Sequence, residues 1–429
     1  VPANRKEYNR EWILLAISFL AINAWMHFFQ APFSYQGGRV WEHAIYYDLA
    51  DQLQHHAPLS GTAPAVFRVG TPWLASIVGS ANIVQSFLFV NLIANALGIF
   101  LFLYWLRFFL KDWRVRIGLL VLYQLHWLAP TRFIHFMSLY VDPWGFTTLL
   151  AGLILIEQYR RDEKVWRIIP LILLSAIGVY LRETVLLVPV ALLFVRVKHT
   201  QVASVAEQVK TFFAPNNFAL LVMPLIAGVL GFTVLHTLAT QTNEYHFATA
   251  AYNWAYAKPF LVYLHGWFIA FGFLLVPIVI EWRFCRNFLR DNLYLAFYLF
   301  ALAVLAWIGG SDTERVLLWA SPVVLVLLGK CIEERGVLAR SFLLTGLLIA
   351  LQLISERVFW MTPGLDNVGD TSPIFLTSMS GSAYYFYLFS YHAPRSVEVI
   401  SLLQYVLVFL IGVSWMRMRS HDNYAISGQ

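Results

Sequence analysis

Ten ionisable residues stand apart from the basic loops of this chain: Glu42, Asp48, Asp51, Arg68, Asp142, Arg182, Glu183, Asp312, Glu314 and Arg315. Two chemistries are within their reach. A carboxylate can take the proton of an attacking hydroxyl or help to hold a divalent metal. A guanidinium offers a fixed fork of donors that fits phosphate oxygens. Asp48 and Asp51 are three residues apart and share a face if Val40–His55 is helical, with Glu42 about two turns back. Val40, Trp41, Ala44, Ile45, Tyr47 and Leu49 give that segment its apolar bulk, so it reads as an amphipathic helix lying along a membrane surface. The carboxylates also suit the solvated side of such a helix. His55 and His56 are adjacent, whereas paired metal ligands on a helix stand four apart.

Three arginines sit in apolar settings. Arg68 is bracketed by Pro64 and Pro72; Arg182, with Glu183 and Thr184, interrupts two short apolar runs; Arg315 closes the turn that starts at Gly309 and carries Asp312. Converging, they would suit an anionic, lipid-linked ligand. Internal pairing, Arg182 with a carboxylate and Arg315 with Asp312, is the competing reading. Tyr245 and His246, in the aromatic loop 241–258 with Tyr252, Trp254 and Tyr256, could stack on sugar rings. So could Tyr384, Tyr385, Tyr387 and Tyr391 in loop 356–397. An interfacial aromatic belt would use the same residues.

The elements that must position these groups are membrane helices. Of 429 residues, 59% are hydrophobic and only 13% charged. A soluble domain carries about 25% charged residues, so this chain lacks the polar surface to coat a water-soluble globule. Aromatics reach 17%, in keeping with many helix ends at headgroup level. The net charge of +6 comes from short basic loops, which set orientation in a membrane, and does not argue for nucleic acid. Cys285 and Cys331 read as reduced thiols beside such loops. The apolar run Trp12–Phe29 after a charged start reads as a retained signal-anchor helix.

Threading the runs predicts an all-α polytopic transmembrane bundle, one domain over 1–429. About twelve spans are expected: Trp12–Gln30, Ser86–Leu106, Ile117–Ala129, Trp144–Gln158, Ile168–Tyr180, Thr184–Val195, Phe218–Thr240, Phe260–Ile280, Leu293–Ile308, Val316–Gly329, Phe342–Leu353 and Val399–Trp415. Both termini and all basic stretches then fall on the cytoplasmic side, and the ten ionisable residues on the outer one. Val66–Ser80 is read as a re-entrant or interfacial helix, because a full crossing there would put Arg107–Arg116 outside. The first outer loop, 31–65, holds the amphipathic helix.

At these residues the chain resembles the GT-C class of integral membrane glycosyltransferases, which use polyprenyl-phosphate sugars. The likeness rests on Tyr46-Tyr47-Asp48-Leu49-Ala50-Asp51 in the first outer loop, on Phe67-Arg68-Val69-Gly70-Thr71-Pro72, on Tyr140-Val141-Asp142-Pro143, on Leu181-Arg182-Glu183-Thr184, and on Ser311-Asp312-Thr313-Glu314-Arg315 with Pro322 beyond. The resemblance implies that Asp48 is the catalytic acidic residue and Asp142 the second outer acidic position, with Arg182 and Arg315 on the lipid phosphate. The first-loop motif departs from the class in lacking an adjacent Asp-Glu or Asp-x-Asp pair.

The expectation is therefore sugar transfer at the outer face, in a bacterial inner membrane or a lumenal equivalent. The donor is a polyprenyl-phosphate sugar and the acceptor a lipid, glycan or protein, with membrane lipids as surroundings. Asp48, Asp142 and Asp51 are the candidate catalytic carboxylates. Glu42, Arg68, Arg182, Glu183, Tyr245, His246, Asp312 and Arg315 are the candidate substrate contacts. No cofactor is expected; a divalent metal is compatible but not required, since the leaving group is already a lipid phosphate. A transporter or flippase for lipid-linked substrates is the alternative, as is a non-catalytic subunit of a larger complex. A transporter would want charged residues along a path reaching both faces.

Overall fold

The computed structural model describes residues 5–30, 32, 38–39, 42–80, 82–196, 215–310, 312–336, 342–356, 358, 399 and 403–414. Ser311 and the aromatic loop beyond 358, with Tyr384, Tyr385, Tyr387 and Tyr391, lie outside the described residues. Helix follows helix: α1 (Arg5–Phe29), α2 (Glu42–Gln54), α3 (Gly70–Val78), α4 (Ile83–Arg107), α5 (Trp113–Leu125), α6 (Pro130–Phe136), α7 (Asp142–Asp162), α8 (Ile168–Leu181), α9 (Leu187–Leu193) and α10 (Pro215–Leu238). Then come α11 (Phe247–Ala257), α12 (Phe260–Phe271), α13 (Leu275–Ile280), α14 (Trp282–Asp291), α15 (Leu293–Ile308), α16 (Thr313–Leu318), α17 (Ser321–Arg335), α18 (Phe342–Ser355) and α19 (Leu403–Ser414). One feature the sequence did not announce is a short parallel pair, β1 (Leu59–Gly61) with β2 (Ala239–Gln241), in register Leu59 to Ala239. It ties the segment after α2 to the end of α10.

Local chemistry sets the boundaries. The Asn82 side chain caps α4 by accepting from the amides of Val84 and Gln85. Asp112 does the same for α5 through Arg114. α7 opens with Asp142-Pro143, an acid at the positive end of the helix and a ring whose missing N–H costs nothing there.

Among the described residues four helical stretches are long and apolar enough to cross a membrane: Asn9–Phe29, Ile83–Arg107, Ala219–Leu238 and Phe260–Ile280. A fifth is added if α14 and α15, which meet at 112°, count as one. Each expected apolar run contains helix where described, but Ile117–Ala129 leaves it after Leu125, Phe218–Thr240 ends in β2, Val316–Gly329 is broken at Trp319–Ala320, and several runs are short. At 1.5 Å per residue the 13 residues of α5 reach about 20 Å, less than the roughly 30 Å of a hydrocarbon core. α3 has nine residues, about 14 Å, which suits an interfacial or re-entrant piece. The Phe260–Ile280 stretch is interrupted by a 3₁₀ turn where Gly272 takes φ +51°, and the amide of Leu274 donates to Gln352 Oε1 at 3.0 Å.

Close packing relies on small residues, as apolar helices in lipid do. A Cβ on Gly231 of α10 would stand 2.5 Å from the Ala176 carbonyl oxygen of α8. The main apolar core runs through α4, α5, α7, α15 and α17. A separate cluster of Tyr46, Ala50, Ala75, Ile83, Phe87 and Val141 seats α2 on α3, α4 and the start of α7.

Among the described residues, several of the basic stretches are joined to each other at one end of the bundle. Glu11 of α1 takes Arg107 of α4 and Arg116 of α5, each at 2.6 Å. Arg161 of α7 pairs with buried Glu157 and donates to the Phe108 carbonyl. Glu333 of α17 accepts from the amides of Lys111 and Asp112. Arg335 of the same helix holds Glu281 at 3.1 Å. Glu157 also accepts from Tyr294 at 2.6 Å.

Candidate functional site

The opposite end of α7 carries the other charge cluster. Asp142, its first residue, is almost wholly buried. It meets Arg182 at the C-terminal end of α8 in a close ion pair, and Arg315 Nε of α16 at 3.6 Å. Arg182 leaves α8 in extended backbone (φ −165°, ψ 136°), which turns it across the first turn of α7. Gly145 makes room there: a Cβ on it would stand 3.2 Å from Arg182 Cβ and Cδ. The guanidinium of Arg182 then lies 4.4 Å over the Trp319 ring, and that of Arg315 5.7 Å over Tyr140.

Arg68 follows a 3₁₀ turn at Ala65–Phe67 and precedes α3. Its guanidinium is fully committed. Nε and Nη2 hold Glu183 in a fork at 3.0 and 2.7 Å, while Nη1 donates to Glu42 Oε2 at 3.0 Å and to the Tyr46 hydroxyl at 2.7 Å. Arg315 Nη2 donates to the other Glu42 oxygen at 2.9 Å and pairs with Asp312 at 2.8 Å. Glu42 therefore sits between two guanidiniums.

The cluster is layered. Arg68, Arg182 and Arg315 expose 6%, 5% and 11% of their side chains, against 26%, 34% and 27% for Glu42, Glu183 and Asp312. A basic floor thus lies under an acidic rim. Burial by itself would raise the Glu42 carboxyl, but Arg315 and Arg68 override it and hold it well below the ordinary range. Glu183 is held at about 2, with Arg68 again outweighing burial. Burial and the cations compete, and here the cations win because each carboxylate lies within 3 Å of one.

Tyr245 is half-buried within electrostatic reach of Glu183 and Arg68, while His246 is exposed at the start of α11. Asn243 brings that loop in: its side chain accepts from the Ala63 amide at 2.6 Å and donates to the Ala63 carbonyl at 3.1 Å. His43, next to Glu42, donates through Nδ1 to the Leu139 carbonyl.

The structure brings Glu42, Arg68, Asp142, Arg182, Glu183, Asp312 and Arg315 together, with Tyr245 nearby. It leaves Asp48 and Asp51 outside, both exposed. Six residues of helix turn Asp48 about 120° away from Glu42. Burial raises the Asp48 carboxyl and the Arg39 charge pulls it back; Arg39 itself lies over the Tyr47 ring. Asp51 pairs with exposed His55. Sequence reasoning underrated Glu42, yet a signal was available. His43, Tyr46, Leu49 and Ala50 form the buried stripe of α2, and Glu42 lies one turn before Tyr46 on it. Tyr46, which accepts from Arg68, and Tyr140, which lies under Arg315, carry no signal of their own beyond the motifs that contain them.

A small cleft beneath the cluster is lined by Tyr140, Asp142, Arg315 and Trp319 among others. Among the described residues no group of three or more His, Cys, Asp or Glu is arranged to hold a metal ion. The carboxylate rim is placed to accept from hydroxyl groups, whereas an oxyanion would reach the guanidinium floor only by taking the place of a carboxylate. Set against known proteins, the chain matches no family model, no curated protein and no solved structure.

Proposed function

We infer that this chain is a membrane glycosyltransferase of GT-C type, moving a sugar from a polyprenyl-phosphate donor to a hydroxyl of a lipid, glycan or protein. The observation that carries this reading is the seating of Glu42 between Arg68 and Arg315. A carboxylate able to accept a proton then stands beside two guanidiniums of the kind that suits phosphate, at the end of the bundle remote from the basic network. In the reaction the acceptor oxygen attacks the anomeric carbon and its proton passes to Glu42. The bond from that carbon to the phosphate oxygen breaks, and the arginines stabilise the charge gathering on the polyprenyl phosphate. Asp142 orients Arg182 and Arg315, and Glu183 orients Arg68. The acidic rim suits sugar hydroxyls, which are hydrogen-bond donors.

The topology that accompanies this reading has about twelve crossings, both termini cytoplasmic and the cluster on the outer face, in a bacterial inner membrane or a lumenal equivalent. The rule that basic loops stay inside supports it, because several of the described basic stretches are tied together away from the cluster. One observation favours a non-catalytic role instead: each arginine already has a carboxylate partner, as in a purely structural lock.

The deciding experiment compares Glu42→Gln and Asp48→Asn in liposomes supplied with a polyprenyl-phosphate sugar. General-base catalysis is worth about 100- to 10,000-fold, so Glu42→Gln loses that much turnover and Asp48→Asn stays near wild type. The reverse result returns the base to Asp48. Wild-type turnover in both assigns the proton to another group, and no transfer by the wild type from any such donor leaves the structural lock.

A further inference from the structure

We propose that the donor's phosphodiester displaces the Glu42 carboxylate from Arg68 and Arg315, so that Glu42 is released as a proton acceptor only when the donor is in place. This rests on the donor reading given above. In the structure both Glu42 oxygens are occupied, Oε1 by Arg315 and Oε2 by Arg68 and the Tyr46 hydroxyl, the last at 3.3 Å. A carboxylate so held is a poor base, since an effective one has proton affinity matched to the working pH. The resting site is therefore bound but inert.

Among the carboxylates of the cluster, Glu42 is the one a phosphodiester can replace. Glu183 is gripped by two parallel bonds from Arg68, and Asp142 is buried. Asp312 touches Arg315 but stands on the same short turn as it, three residues away. Glu42 instead makes one contact to each of two arginines that come from elements far apart in the chain. A phosphodiester likewise has two free oxygens to bridge two guanidiniums.

Charge balance links this displacement to the proton. Arg68, Arg182 and Arg315 face Glu42, Asp142, Glu183 and Asp312, three cations against four anions. The phosphodiester brings a fifth anion into a poorly hydrated site. Protonation of Glu42 restores the earlier balance, and the proton it accepts is the one the acceptor hydroxyl must lose. The groups facing Glu42 are Arg68 beyond the 3₁₀ turn, Arg182 at the end of α8, Arg315 on α16, Tyr140 before α7, and His43 and Tyr46 on its own helix. Of these, His43 is the rival for a proton at neutral pH.

The test is calorimetry of the full chain in detergent with a prenyl methyl phosphodiester. This probe has no transferable sugar and one fixed negative charge, so it neither binds nor releases a proton itself. Titrations near pH 6 in buffers of different ionisation enthalpy count protons taken up on binding. The expected result is uptake approaching about one proton at the acid end of the range, falling to none at alkaline pH where Glu42 stays ionised in both states. In Glu42→Gln the probe binds at least as tightly, with no uptake. Binding without proton uptake in the wild type overturns the displacement and leaves the donor site standing. Uptake unchanged in Glu42→Gln assigns it to another group and overturns it too. No binding of the diester to either protein removes the donor site, and the displacement with it. Should Glu42→Gln not fold, His43→Gln decides: uptake that survives belongs to Glu42, and uptake that vanishes overturns the proposal.

Discussion

Arg68 has a donor on every guanidinium nitrogen in use, and it alone touches both Glu42 and Glu183. Arg68→Ala would strip Glu183 of its guanidinium fork at the edge of an apolar interior and leave Glu42 with Arg315 alone. Breaking a buried pair from one side costs about 3–5 kcal/mol, and these partners are partly hydrated, so the loss falls toward the lower end. Arg68→Lys keeps the charge but cannot make the fork and the Glu42 contact together, so it falls between. Thermal unfolding in detergent measures both, and an Arg68→Ala protein as stable as wild type would show the network to be loose. The same pair gives a pH dependence. Glu183 is held at about 2 in the folded chain, against about 4.3 for a free glutamate. A depressed carboxyl adds stability that is complete above the unfolded value and is lost as pH falls through the folded one. Wild-type melting temperature should therefore drop as pH goes from about 5 towards 2, and Glu183→Gln should show a shallower drop. Parallel curves would mean that Glu183 adds nothing.

Helices bring these residues into contact through close approaches that the sequence marks only faintly. α8 presents Arg182 from its end, and its position depends on how near α10 lies. Gly231 leaves no space for a methyl group against the Ala176 carbonyl, whereas Gly346 of α18 has nothing within 4 Å of its would-be Cβ. Gly231→Ala should destabilise by about 1–3 kcal/mol through overpacking, since a backbone atom cannot rotate aside. Gly346→Ala should be neutral or stabilise by up to about 1 kcal/mol through helix propensity. Equal melting temperatures for the two variants would refute the tight α8–α10 contact. The helices themselves were legible as apolar runs. Their breaks were not: the interruption at Gly272 meets Gln352, and the extended residue Arg182 packs on Gly145, both partners distant in sequence.

At the scale of the whole molecule, α7 joins two charge systems. Asp142 begins it within the arginine cluster, and Glu157, in its last two turns, belongs to the basic network, fifteen residues or about 22 Å along the axis. If the bundle spans a bilayer, the two systems face opposite compartments. Lys111 is exposed on the basic side and Glu244 on the loop that Asn243 pins to the cluster. A cysteine at Lys111 should react with an impermeant maleimide only in inverted vesicles, and a cysteine at Glu244 only in right-side-out ones. Cys285 and Cys331 are buried and give little background. Labelling of both from one side would overturn the topology.

Membrane-like composition, helical runs, short basic loops and three arginines in apolar settings can all be read from the chain alone. Each of these is a property of a short stretch, where hydropathy and helical period act on neighbours. Only the tertiary structure decided which carboxylate meets which cation. Arg68 reaches Glu42 across 26 residues and Glu183 across 115, and Arg315 reaches Glu42 across 273. Asp48 and Glu42 share a helix and a charge, so pattern alone favoured the one inside a familiar motif. Burial of the Tyr46 stripe against α3 and α4 turned Glu42 inward and Asp48 out to solvent.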